Sequence, residues 1–582
     1  MTSFLLLSTL TSRSRKYECE TALSFLLVVV AAAYFLAPAH SNNINQFIRM
    51  TSSAFASAFP LPKPGSDANQ LATEWDFTHF LSYVALIWYF LIWFVIVVGY
   101  SWIRRTYAKP PPPSVVPNDS LPAVTILRPI KGCDPNLDIC LASTCLLDYP
   151  SNKYELVFCV ASPTDSSIPV IKSTLEQYPN VNAKLVISEE DVGPNPKIRN
   201  LSKAYREASS DIVWILDCNV WVPPGTLRRA VELLEGTNGR PGYKLVHHLP
   251  IAYDITARQA HLSRPPSSAG VSSSPLLTKG TPVTEKSWMS RWISVGGGRF
   301  EENFLSSSHA KFYSAINTLR LGPCVVGKSE LFRRSHLEEV TQDGGAFTGL
   351  DYFADYICED HMISTKLWKI PLEEELTGKR KWGKHGMAPD IVFQPLSNMS
   401  IQDYTARRIR WISVRKYTEL VASLTESLTE SISMSMVGAY AATTIPFLSE
   451  RIGSSWCSFW TFWACSMFVW AAFDRHIYNF IHQYRSTVVD ENSPPFIADR
   501  KGRSLPEWLF QWVGRESLAS YVWVRSLIPG PITWRGGLYK IRWSDKKVVE
   551  ISNHSSSSTS ISRSPIAPKI ASGFTLNDKR SD

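Results

Sequence analysis

The sequence predicts an α/β domain with a mostly parallel sheet, held at a membrane by apolar helices on both flanks. Three observations predict it. Phe80–Ile103 is a charge-free run rich in Leu, Ile, Val, Phe and Trp. From Leu121 to Trp411 short apolar runs alternate with helical patterns, and beyond Trp411 long apolar segments return. Strand–helix alternation builds a parallel sheet whose ligands gather at its carboxyl edge.

The elements follow in chain order. Residues 1–77 form an extension with an earlier apolar run, Leu23–Ala37, which reads as a second span, an uncleaved signal-like segment or a gene-prediction artefact; Met50 is an alternative start. Residues 78–105 form the transmembrane helix, since about 20 apolar residues cross a bilayer. Arg104, Arg105 and Lys109 follow the run Phe80–Ile103 and Glu74 and Asp76 precede it, so the downstream domain is expected in the cytosol. On that topology the Asn-x-Ser sequons at Asn118, Asn200, Asn398 and Asn553 go unused. Residues 106–120 are a linker stiffened by Pro110-Pro111-Pro112-Pro113.

Within the core domain, 121–411, strands are expected at Ala123–Leu127, Glu155–Ala161, Lys184–Ile187, Ile212–Leu216 and Lys244–His248. Helices are expected at Ile168–Gln177, Lys197–Glu207 and Thr226–Leu234. The stretch 258–298 is Ser/Pro/Gly-rich and reads as a surface insertion. Residues 412–545 should form membrane and interfacial helices. Ile432–Leu448 and Trp456–Phe473 read as spans or a helical hairpin, and Trp508–Ile528, which carries Arg515, Glu516 and Arg525, as interfacial or re-entrant. Residues 546–582 are a Ser-rich tail.

The net charge of +9 over 582 residues suits an anionic lipid surface or a nucleotide diphosphate and is too diffuse for nucleic acid. Ten scattered cysteines form no CxxC pair, which fits a reducing compartment better than a disulfide framework.

Four elements carry chemistry. Asp165 follows the second strand, where a carboxylate can accept from a base or ribose, although Pro163-Thr164-Asp165-Ser166 is also an ordinary turn. Asp217 ends an apolar strand, where an unpartnered acid would be costly to bury. Asp217-Cys218-Asn219 resembles the DxD element with which sugar-nucleotide transferases hold a divalent cation against a diphosphate. Glu359-Asp360 lies on a helical pattern, where paired acids usually face solvent. Arg407-Arg408-Ile409-Arg410-Trp411 fits Q/RxxRW: guanidinium groups contact a diphosphate bidentately and Trp offers a flat platform. A basic helix on anionic lipid would look the same.

This ordered set resembles the inverting GT-A glycosyltransferases of the family-2-like, family-21 type, in particular the ceramide glucosyltransferases. Lys131-Gly132-Cys133-Asp134-Pro135-Asn136-Leu137, Asp148-Tyr149-Pro150, Tyr178-Pro179-Asn180-Val181, Asn195-Pro196-Lys197-Ile198, Arg515-Glu516-Ser517, Thr533-Trp534-Arg535 and Tyr539-Lys540-Ile541-Arg542 carry it further, over about Leu71 to Trp543. The resemblance implies a nucleotide-diphospho-sugar transferase fold, UDP-glucose and ceramide as partners at a Golgi- or ER-type bilayer, and no nucleic acid. Asp165 would lie near the uridine, and Asp217 would bind the diphosphate directly or through Mg2+ or Mn2+. Lys197 would contact the donor side, Asp360 would be the base, and Arg407, Arg410 and Trp411 would close over the diphosphate and line the acceptor entry. His309 and Cys324 match a family histidine and cysteine near the site. Asn219 departs from strict DxD, which puts the metal in question. Two rival readings share features of the chain: a processive polysaccharide synthase of the chitin or hyaluronan type, and an inactive membrane scaffold.

Overall fold

The computed structural model describes residues 77–551, except 115, 238, 257–292, 499–501 and 535–536. Leu23–Ala37, Met50, most of the 258–298 stretch and the sequon at Asn553 lie outside the described residues.

The centre is a seven-stranded sheet: β1 Val124–Ile130, β2 Tyr154–Val160, β3 Ala183–Ile187, β4 Ile212–Leu216, β5 Leu245–Asp254, β6 Ser329–Arg333 and β7 Gly386–Leu396, in the order 3-2-1-4-6-5-7. β6 runs antiparallel to β4 and β5; every other pair is parallel. Continuous apolar runs make such strands because both faces are covered, and every residue of β1, β2, β4 and β5 is buried. One face packs Trp214 and Phe158 against Leu141 and Leu227, the other packs Val213 and Leu127 against Leu201 and Leu367.

The five expected strands are present, and Lys244–His248 continues to Asp254. The helices at Ile168–Gln177, Pro196–Arg206 and Thr226–Glu235 lie where the periodicity placed them. Two strands were not expected. Ser329–Arg333 is short and carries Glu330, and Gly386–Leu396 opens on a Gly and a Pro-Asp pair that read as a turn. A helix at Gly297–Ser306 starts inside the stretch read as insertion. A three-stranded antiparallel sheet, β8 Ile532–Trp534, β9 Gly537–Ile541 and β10 Val548–Glu550, reaches into the stretch read as tail, and packs on Val414 and Ile357.

Helices Phe77–Tyr107 and Trp456–His482 are long and apolar enough to cross a membrane. The pair Ser431–Thr444 and Pro446–Ile452 bends by 95° at Ile445, where Pro446 cannot continue the first helix. Helix Leu505–Leu527 has a split character: Gln511, Trp512, Arg515 and Glu516 are buried, while Leu509, Phe510, Val513 and Val524 are exposed.

Anchor and sheet share one core. Ile103 and Tyr107 of the first long helix, and Ile477 and Ile481 of the second, pack with Tyr253 of β5 and Phe393 of β7. At Gly99 the first helix meets helix Ser308–Leu319 so closely that a Cβ would lie 1.9 Å from the Lys311 carbonyl oxygen. Lys311 Nζ in turn lies 2.5 Å from Asp474 Oδ1, and both side chains are buried. Asp474 Oδ2 accepts from Trp512 Nε1 at 3.0 Å, so three helices meet on one carboxylate.

Candidate active site

The loops after β1, β2 and β4 meet at the carboxyl edge of the sheet. Arg128, buried in β1, shapes the β4 loop: its guanidinium donates to the carbonyls of Asp217, Cys218 and Val220 at 3.0, 2.9 and 2.9 Å. A buried arginine must be satisfied in this way, and here its satisfaction sets the position of Asp217.

Asp165 accepts from Gly132 N–H at 3.0 Å and from Ser167 N–H and Oγ at 2.9 and 2.7 Å. Partial burial would raise its pKa. Those hydrogen bonds and nearby Lys131 outweigh that and hold the carboxyl below its usual range. The turn reading of this segment is therefore realised, and it ties the β2 loop to the Lys131-Gly132 loop.

Asp217 stands between two ammonium groups. Lys197 Nζ is 3.1 Å from Oδ1 and Lys328 Nζ is 3.0 Å from Oδ2. Lys197 begins helix Pro196–Arg206, whose cap Asn195 accepts from the Lys197 and Ile198 N–H groups at 2.8 and 3.2 Å. The same Asn195 donates to Tyr356 O at 2.6 Å and to Glu359 Oε2 at 3.0 Å. Lys197 Nζ also reaches Glu359 Oε1 and Gly327 O, each at 3.1 Å. Burial alone would lower its pKa; Asp217, Glu359, Glu330 and Asp360 reverse this and raise it, so the lysine stays charged.

Asp360 sits in the first turn of helix Glu359–Lys369 and is partly open to solvent. Its Oδ2 accepts from Gly327 N–H at 2.7 Å and its Oδ1 from His361 N–H at 2.8 Å. A Cβ at Gly327 would lie 3.1 Å from Asp360 Oδ2, a tight contact that would push the carboxylate back by a few tenths of an ångström. Asp217 and Asp360 thus meet in one cluster, joined through Lys197 and Gly327. Beside them Glu330 is buried, and burial together with Asp360 pushes its pKa well up; burial raises Glu359 as well. Both acids are thus pushed up from the ordinary carboxylate range, with Lys197 opposing the shift.

The RxxRW residues form a second group. Trp411 packs near Ala252, Phe304, Leu305 and Leu396. The Arg407 guanidinium lies 5.0 Å from the Trp411 ring, and its Nε is 3.2 Å from Glu301 Oε1. Arg408 stacks over Phe304 at 3.7 Å and pairs with Glu426 at 3.5 Å. Arg410 is half-buried. His309 joins this group through Phe304 and Tyr313, with ring centroids 5.6 and 5.1 Å away. Burial, with Arg408 and Arg415 nearby, pushes its pKa down to about 3, so the imidazole is neutral. Cys324 lies three residues before Gly327, and burial pushes its thiol up to about 11, too high for a nucleophile at neutral pH.

A divalent cation is chemically compatible with a sugar-nucleotide diphosphate. The residues at Asp217 do not fit one: both oxygens hold lysines, Asn219 is neutral, and the described residues contain no group of three His, Cys, Asp or Glu side chains placed for a metal.

Sequence reading missed Lys328, Glu330, Gly327 and Arg128. Each lies within or beside a strand, with no local pattern to mark it; only the pairing of β4 with β6 brings Lys328 to Asp217.

Residues 88–264 and 292–547 match the model of glycosyl transferase family 21. The chain belongs to that family. This family 21 chain is 38% identical over 517 residues to the ceramide glucosyltransferase of Pyricularia oryzae, covering 83% of this chain and 97% of that protein. It is 32% identical to that of Candida albicans, covering 78% of this chain and 96% of that protein. Among solved structures it matches a mannosyltransferase from Pyrobaculum calidifontis in complex with GDP-Man and Mn2+, at 16% identity and a TM-score of 0.36, covering 69% of this chain and 98% of that one. The family 21 chain is a glycosyltransferase.

Proposed function

We propose that this chain transfers glucose from UDP-glucose to the primary hydroxyl of ceramide with inversion at the anomeric carbon, forming β-glucosylceramide. The observation that carries the reading is the meeting of Asp217 and Asp360 through Lys197 and Gly327, at a sheet edge whose core continues into two apolar helices. The names of the relatives supply the sugar and the lipid.

In this reading Asp165 and the Gly132 loop receive the uridine side, and Lys197 and Asp217 face the diphosphate. The ceramide oxygen attacks C1 as the bond from C1 to the phosphate oxygen breaks. The bonding electrons leave on UDP, and Asp360 takes the hydroxyl proton. Arg407, Arg410 and Trp411 close over the diphosphate at the acceptor entry, and neutral His309 backs them. Arg104 and Arg105 in the last turn of the first long helix favour a cytosol-facing catalytic domain on a Golgi- or ER-type membrane. Neither the polysaccharide synthase nor the scaffold reading is favoured by the family match.

Isolated membranes given labelled UDP-glucose and ceramide should yield labelled glucosylceramide. Transfer only to a sugar primer, or from UDP-GlcNAc alone, would refute the reading.

A further inference from the structure

The Asp-Cys-Asn element is already bridged by a cation of the chain's own. Lys328 Nζ lies 3.0 Å from Asp217 Oδ2 and 3.0 Å from Asn219 Oδ1. The lysine is anchored there, because its carbonyl accepts from Asp217 N–H at 3.1 Å and its side chain is about nine-tenths buried. Lys197 occupies the other oxygen of Asp217 from the opposite side. The two lysines differ in their surroundings. Lys197 is locked by Asp217, Glu359 and Gly327 O, and serves to hold the acids together. Lys328 has only the Asp217 carboxylate and the neutral Asn219 amide. Lys328 therefore faces one carboxylate and one neutral oxygen, where Lys197 faces two carboxylates.

We propose that Lys328 is the donor-diphosphate cation of this site: held between Asp217 and Asn219, it supplies the charge that a carboxylate-bound metal would supply, so UDP binds and departs without one. The proposal rests on the sugar-nucleotide reading above. A divalent ion takes carboxylate oxygens at roughly 2.0–2.6 Å and could not share Asp217 with two ammonium groups. It would have to drive Lys328 off and leave a largely buried charge without its partner, which is costly. Asn219 fits the same logic. A second carboxylate there would be needed to hold a dication, whereas a neutral oxygen suffices to orient an ammonium.

The test is titration of full-length protein in detergent micelles with UDP, by calorimetry, in EDTA and then with Mn2+ or Mg2+, with glucose transfer measured alongside. Wild-type UDP affinity and turnover should differ by less than about twofold between the two conditions. Lys328→Met should lose at least about tenfold in UDP affinity in EDTA, one charge-assisted contact's worth, whereas Lys328→Arg should stay within about threefold of wild type. Melting curves of both variants identify one that fails to fold, and the arginine variant with the wild-type EDTA comparison still decides the matter. Loss of wild-type UDP binding in EDTA with recovery on Mn2+ would overturn the proposal and leave the transferase reading intact. So would wild-type-like affinity in Lys328→Met. No UDP binding under any condition would bring down both.

Discussion

The Asp360 carboxylate accepts two backbone N–H groups and stays partly open, so it is positioned without being sealed. Asp360→Asn keeps the shape but only one of the two accepting oxygens, because its amide nitrogen cannot accept from a backbone N–H, and it removes the basic carboxylate. UDP binding should persist, and transfer should fall by about 10²–10⁴-fold; near-normal turnover would remove Asp360 as the base. Asp165 gives a pH signature. Its pKa is depressed in the folded state, so the stabilisation it provides is complete above the ordinary carboxylate value and disappears as pH falls through the folded value. Asp165→Asn should therefore melt below wild type at neutral pH, and the gap should narrow below about pH 4. A gap independent of pH would rule out this account. At this scale Asp217 stood out in the sequence because a carboxylate at the end of an apolar strand demands a partner, whereas Asp360, on a helix where paired acids usually face solvent, was marked only by the family resemblance. The partners were not. Nothing near Gly327-Lys328 marks it as the neighbour of residue 217, since long-range strand pairing alone creates that contact.

Among the elements, the strands that read clearly are those with a dense apolar run: β4 is wholly apolar, β2 is broken only by Glu155, and the apolar start of β1 precedes Arg128. β6 and β7 did not, because Glu330, Pro389 and Asp390 belong to the site or to an ion pair with Arg229 rather than to the core pattern. The break at Ile445 was not read: the apolar run Ile432–Leu448 predicted a span or one arm of a hairpin, and the structure bends it by 95° ahead of Pro446. The contact between the first long helix and helix Ser308–Leu319 gives a prediction of its own. Gly99→Val would drive two methyl groups into the Lys311 backbone, beside the Lys311–Asp474 pair. It should cost about 1–3 kcal/mol or more, read as a lowered melting temperature in detergent; unchanged melting would show that the helices separate freely.

Across the whole molecule, orientation is the open quantity, and the sequons measure it unequally. Asn200 is buried, donating to Cys159 O at 2.9 Å, so it would stay unmodified on either side of a membrane. Asn118 and Asn398 are exposed and do discriminate. With a cytosolic catalytic domain neither carries glycan, and an endoglycosidase-sensitive mass shift lost in Asn118→Gln or Asn398→Gln would reverse the topology. The shared packing of Ile103, Tyr107 and Ile477 with Tyr253 and Phe393 has a mechanical consequence. A span in a bilayer of the wrong thickness tilts or distorts the lipid around it, and here the side chains of both long helices pack directly on the strands. Turnover in vesicles of graded acyl length should therefore pass through an optimum, with lipid depth acting as a dial on the height at which hydroxyl and sugar meet.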